Sequence, residues 1–280
     1  MMHSLPQSAA PVPHVSSLLP AGALTTAPRK APAPLPFLPR GAKPAPRPPR
    51  PTFKTRRVEV TWLDDAGQIQ SASRSAPALP QFEEAFGAIA RGTLIETECG
   101  LIAIEDMEPG QRVATADGRG ATVLWIGAMT VYPSGSVPGL ETAPLTRVTG
   151  DAFGEGRPMP DLMLGPNARL TLSGGRWARS GSNRTSVPAT ALVDGEAIVA
   201  IHPVAPVTVY HVVLCHHAAI ACAGIEVESF HPGRDFAARI DVELQAMFVA
   251  LFPMFQGLAD FGPLAHARLS LDEAQEVLAA

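Results

Sequence analysis

A chain of 280 residues with 46% apolar side chains can bury one core of ordinary size with tails, or two small ones. The net charge of −4 hides an asymmetry, because residues 1–57 carry nine Lys/Arg and no acid, leaving 13 basic residues against 26 acids. An acidic body argues against nucleic acid as the main partner, since phosphate contacts need clustered positive charge; the basic arm retains only weak, salt-sensitive contacts.

Residues 1–52 hold 14 of the 29 prolines, with Ala, Ser and six Lys/Arg. Such a segment can neither form a ladder nor bury enough surface to offset its ordering entropy, so a disordered Pro/Ala-rich arm is expected. It is read as a solvated tail, or as a ligand for a proline-recognising groove through LPFLPR or KPAPRPPRP. No Lys or Arg precedes a continuous apolar run at the start, and Pro6, Pro11, Pro13 and Pro20 break that region up, unlike a signal peptide. No stretch of about 20 uninterrupted apolar residues is present, as a membrane span would require. Cys99, Cys215 and Cys222 form no C-x-x-C pair and are read as small buried hydrophobes in a reduced compartment. The expectation is a soluble, cytoplasmic protein, with leaderless export left open.

Order begins near Phe53. The alternation of Arg57–Leu63, a turn at Asp64-Asp65-Ala66-Gly67 and a return through Gln68–Ser73 predict a β-hairpin. Ala76–Pro80 crosses extended to a short helical turn over Gln81–Ala90, with Phe82, Ala85, Phe86 and Ile89 on one face. From Ala85 to Gly127 the chain reads as short strands: Thr93–Thr97, Leu101–Ile104, Arg112–Thr115 and Ala121–Ile126 are β-rich runs separated by Cys99-Gly100, Pro109-Gly110 and Asp117-Gly118. Val131–Leu140 is a Pro/Gly loop, Leu145–Val148 a strand and Asp151–Pro160 a turn-rich crossing. Asp161–Leu172 reads as two strands kinked at Gly165-Pro166, and Arg176–Asn183 as an exposed loop. Val187–Val193, Ala197–His202 and Val207–Leu214 supply further strands at the spacing of an all-β domain. Asp235–Phe252 repeats apolar residues in threes and fours as one helix ending before Pro253, and Ser270–Glu273 is a capping box for a last helix over Leu271–Ala279.

Three blocks in this order resemble a known family. The first runs through RGTLI, a hairpin, IEDMEPGQRV, TADG and a strand reaching Trp125; it is similar to the start of the hedgehog/intein (Hint) autoprocessing domain, which cuts its own backbone. The resemblance places the family's Cys or Ser nucleophile at Ala88, a few positions before Thr93. A methyl group cannot attack a carbonyl. The second block resembles T-x-x-H or S-P-x-H-R, whose His protonates the departing nitrogen. Here it reads Gly165-Pro166-Asn167-Ala168-Arg169, with neither the hydroxyl nor the imidazole. The third, Val209 to Ser229, keeps His217 seven residues before a Gly, has His211 where the family has Asp, and ends in Glu228-Ser229 where inteins carry His-Asn. Its E-S-F-x-P-G ending looks like a bacterial branch of the family that never splices.

The resemblance therefore implies a mainly β, Hint-like fold over residues 86–233, preceded by a hairpin and linker over 53–85 and followed by a helical extension over 234–280. The expected site is vestigial: Ala88, Thr93, Gly165, Ala168, His217, Glu228 and Ser229, with no catalytic residue and no cofactor. A non-processing binding or assembly module with a protein partner is one expectation; the other is self-cleavage by a displaced nucleophile such as Cys99 acting with His217. His211, Cys215, His216 and His217 have ligand types for zinc, but ordinary hairpin residues are the simpler reading. The carboxylates at Asp64-Asp65, Glu83-Glu84 and Glu105-Asp106-Glu108 are read as solvated, and Asp117-Gly118 and Asp194-Gly195 as turns.

Overall fold

The computed structural model describes residues 53–136, 143–178 and 182–280. The arm expected over residues 1–52 lies outside the described residues, as do 137–142, which include the end of one expected loop, and 179–181 of another. The described residues are mainly β. The opening hairpin pairs β1 (Thr55–Leu63) with β2 (Ile69–Pro77) in continuous register from Thr55↔Pro77 to Leu63↔Ile69. Its turn closes because the Asp64 carboxylate accepts from the Ala66 and Gln68 backbone N–H groups at 3.0 and 2.8 Å.

The next elements are α1 (Pro80–Glu83), β3 (Ile89–Ala90), β4 (Leu94–Thr97), β5 (Gly100–Ala103), β6 (Arg112–Val113) and β7 (Ala121–Val131). Then come β8 (Leu145–Val148), β9 (Leu162–Leu164), β10 (Arg169–Ser173), β11 (Arg184–Pro188), β12 (Ile198–Ile201), β13 (Val207–Leu214), β14 (Ala219–Cys222) and β15 (Ile225–Glu228). The 11-residue β7 is the spine of the body. It pairs along its length with β13, flanks β1 over Trp125–Ala128 and joins β6 at its start. Its length lets it serve both halves of the sheet, whose order runs β12-β8-β9-β3-β13-β7-β6-β4-β14-β15-β10-β11.

After Glu228 the chain forms α2 (Phe236–Arg239), α3 (Val242–Val249), β16 (Ala267–Arg268), which pairs parallel with β11, and α4 (Leu271–Ala279). The Ser270 hydroxyl accepts from Glu273 N–H at 3.2 Å and the Glu273 carboxylate accepts from Ser270 N–H at 2.7 Å, so the expected capping box starts the last helix.

Three expectations are corrected. The helix expected to reach Ala90 ends at Glu83, because Ile89 and Ala90 pair instead with β13 and β9. The helix expected over Asp235–Phe252 is broken: Ile240 is extended at φ −140°, and Asp241 starts α3 afresh by accepting from Leu244 N–H at 2.8 Å. The strand expected over Val187–Val193 stops at Pro188 and becomes a 3-10 turn over Ala189–Leu192.

Two apolar cores result. One fills the β body, from Ala88 and Ile89 through Leu170, Ile220 and Val227. The other is aromatic and gathers Phe82, Phe86, Trp125, Phe230, Phe236, Phe248, Phe252 and Phe261. Trp125 anchors the C-terminal segment to β7, its indole N–H donating to Leu251 O at 2.9 Å while its ring lies 4.6 Å from that of Phe252. Phe86 belongs to the aromatic core and Ala88 to the other, so the Gly87-Ala88 peptide spans the seam between them.

Candidate functional site

Along that seam the backbones of two segments come together. Gly87 O accepts from Asn167 N–H at 2.8 Å, Ala88 O accepts from Gly165 N–H at 2.8 Å, and Ala88 N–H donates to Tyr210 O at 3.0 Å. Both polar groups of the Gly87-Ala88 peptide are thus satisfied by neighbouring backbone. Such an approach needs a residue without a side chain, since a Cβ at Gly165 would lie 2.3 Å from Gly87 O. Ala88 is fully buried and Ala168 is 2% exposed.

A second group of expected residues surrounds the end of β15. Glu228 is 2% exposed, and both its oxygens lie 3.0 Å from Arg268 Nε. Arg169 Nε stands 3.3 Å from Glu228 Oε2 and His217 Nε2 3.4 Å from Oε1. Burial alone would raise the Glu228 carboxyl, but the guanidinium groups of Arg268 and Arg169 outweigh it and hold the group below its ordinary value. His217 Nδ1 accepts from Ala265 N–H at 2.9 Å, which fixes the neutral ring's proton on Nε2, facing Glu228. Burial pushes His217 down to about 3.

His211 ties the two groups together. Its Nδ1 is 2.9 Å from Glu84 O and its Nε2 3.2 Å from Glu228 O. A neutral imidazole donates to one carbonyl only, and burial, which pushes the ring down to about 4, keeps it neutral. Ser229 adds a hydroxyl that accepts from Ala218 N–H at 3.1 Å. His231, not among the expected site residues, accepts at Nδ1 from Gly233 N–H, leaving Nε2–H to donate to Gly262 O, both at 2.9 Å.

Of the residues expected at the site, Ala168, His211 and Glu228 line one cleft, with Asn167 and Arg169 beside them. Ala88, Gly165 and His217 do not line it; the first two pair through their backbones, and His217 meets the cleft residue Glu228. Thr93, just before β4, does not line the cleft, and its hydroxyl lies 3.5 Å from Met163 O. Cys99 and Cys215 are exposed rather than buried, because each falls in a turn at a strand end; only Cys222, facing inward on β14, is the small buried hydrophobe expected. Cys215 Sγ accepts from Thr122 N–H at 3.4 Å and lies 3.5 Å from His216 Nδ1. Among the described residues, no group of three or more His, Cys, Asp or Glu is placed to hold a metal ion. The sequence reading missed Arg268, which lies 40 residues from Glu228 and carries no local signal.

A family profile described as the Hint domain matches residues 88–234, just over half of the chain. Among solved structures, a bacterial intein-like domain from Clostridium thermocellum is 16% identical with a TM-score of 0.35, covering 51% of this chain and 99% of its own. The MchDnaB-1 intein is 21% identical with a TM-score of 0.30, covering 51% of this chain and all of its own. No curated protein matches the chain.

Proposed function

Since the chain belongs to the Hint domain family, we propose that it is a non-processing member, serving as a binding or assembly module rather than as a protein that cuts itself. The observation that carries this reading is the side chain at the position where the family match begins: residue 88 is an alanine, fully buried. Attack on the preceding carbonyl needs a thiol or hydroxyl, and loss of a nucleophile ordinarily costs many orders of magnitude in rate. Ala168 supports the same reading, because it leaves no imidazole to protonate the departing nitrogen. The peptide that would be cut is also held by backbone hydrogen bonds on both sides.

The opposing reading is cleavage by a displaced nucleophile such as Cys99 with His217. Cys99 sits exposed in the β4–β5 turn, whereas His217 is buried against Glu228 with its Nδ1 occupied by Ala265 N–H. The two are tested by incubating the purified chain with dithiothreitol or hydroxylamine, either of which cleaves a thioester. The proposal expects no increase in fragmentation; an increase that disappears in Cys99→Ser would establish the displaced nucleophile.

A further inference from the structure

The cleft beside Ala168 has a volume of about 830 Å³, within the range of sites that take small ligands or a few residues of peptide. Its charged lining is unusual for an acidic body. Arg169, Arg234, Arg239 and Arg268 contribute four guanidinium groups, against the three carboxylates of Glu84, Glu228 and Asp235. The cleft histidines His211, His231 and His266 are all lowered by burial and add no charge at neutral pH. One positive charge is left over. It arises around Glu228, where two arginines share one carboxylate.

Two of these arginines converge on a single spot. Arg268 Nη1 lies 3.4 Å, and Arg239 Nη2 3.9 Å, from the point where Gly233 would carry a Cβ. Gly233 has φ +92°, so the backbone favours glycine there and the spot stays open between two donors. Arg268 spends Nε on Glu228 and Nη2 on His231 O, while Arg239 donates from Nη2 to Pro232 O and meets Glu84 only at 3.6 Å. Each guanidinium has five N–H groups, so both keep donors to spare. Arg234, the next residue, makes no ion pair or hydrogen bond among the described residues and lines the same cleft.

We infer that this cleft is a carboxylate-binding site, in which a ligand's carboxylate sits over Gly233 between Arg239 and Arg268. The single excess positive charge suits a monoanion. A phosphate of two negative charges would instead leave the cleft with one uncompensated negative charge. The carboxylate can come from a chain terminus or from an acidic side chain of a polypeptide, and the cleft's volume admits either. The inference deepens the binding-module reading and rests on it for its purpose.

The test is calorimetric titration of the full chain at constant ionic strength with three probes: acetyl-Ala-Ala-Ala with a free C-terminus, its C-terminal amide, and acetyl-Ala-Glu-Ala amide. Saturable binding of the first or third, and none of the second, is expected; which of the two binds names the source of the carboxylate. Charge-assisted pairing of this kind predicts that Arg239→Ala weakens binding about tenfold or more, while the remote Arg112→Ala leaves it unchanged. Gly233→Ala, which fills the spot, should weaken it too, with thermal melting showing that both cleft variants remain folded. No saturable binding by either acid, or equal binding to wild type and a folded Arg239→Ala, would overturn the inference. Fragmentation of the chain, read separately by mass, would defeat the non-processing reading without touching the site.

Discussion

Arg268 Nε stands 3.0 Å from both oxygens of Glu228, joining a strand of the C-terminal segment to the last residue of β15 across 40 residues of sequence. The same guanidinium donates to His231 O at 3.0 Å, and the neighbouring Leu269 O accepts from Arg169. The C-terminal segment is thereby fastened to the site by charge as well as by Trp125 and its aromatic neighbours. Breaking a buried pair from one side leaves an uncompensated charge. Arg268→Ala is expected to cost about 3 kcal/mol, toward the low end for such pairs because Arg169 still faces Glu228. Urea unfolding would measure it, and Arg268→Lys, which keeps the charge but not the fork, should recover only part of the loss.

The buried histidines set the acid sensitivity. His217 and His211 are pushed below their ordinary value, to about 3 and about 4, so the unfolded chain takes up protons there before the folded one. Their contribution is complete above the ordinary value near 6.5 and is lost as pH falls from there toward the folded values. Within that window each histidine costs up to about 1.4 kcal/mol per pH unit. Glu228, also lowered, adds a loss beginning below its ordinary value of 4.5. Unfolding free energy should therefore start to fall below pH 6.5 and steepen below 4.5. His217→Gln should flatten the upper part of that curve, since the amide can accept from Ala265 N–H and still face Glu228 without titrating.

Much of this fold is legible residue by residue. Val207–Leu214 and Leu145–Val148 form strands with the bounds their β-branched runs predict, and Ser270–Glu273 caps a helix through its own side chains. Those signals are local. The helix over Asp235–Phe252 is interrupted because Asp241 competes as an N-cap, a choice that apolar periodicity does not register. Ile89 and Ala90 leave their expected helix because β13 and β9 offer them ladder partners distant in sequence. The seam and the cleft divide in the same way: motif order singles out Ala88 and Gly165, whose backbones pair, whereas Arg268 and the Gly233 spot depend on how the C-terminal segment returns, which no spacing announces.

Two glycines set how closely the elements approach. A Cβ at Gly127 would lie 2.1 Å from the Trp125 ring and 2.6 Å from that of Phe86, while one at Gly165 would meet Gly87 O. Gly127→Ala can be relieved only by moving packed rings, and Gly165→Ala only by moving backbone. Each is expected to destabilise by about 1–3 kcal/mol, the usual cost of overpacking. Thermal unfolding checks both, and an unchanged midpoint for Gly165→Ala would contradict the close approach at the seam.

The cysteines divide by exposure. Cys99 and Cys215 should react readily with an aromatic disulfide reagent in the native protein, whereas Cys222, buried with its thiol pushed up by that burial, should react only after denaturation. Counting thiols spectrophotometrically before and after adding denaturant checks this, with Cys222→Ser expected to abolish the late phase.

The reading of a Hint-domain chain that does not process itself is tested most directly by the intact mass of the freshly purified, full-length protein, followed over days without added protease. The account predicts one species at 29.4 kDa that persists unchanged. Paired fragments, one ending at Gly87 and the other beginning at Ala88, would contradict it.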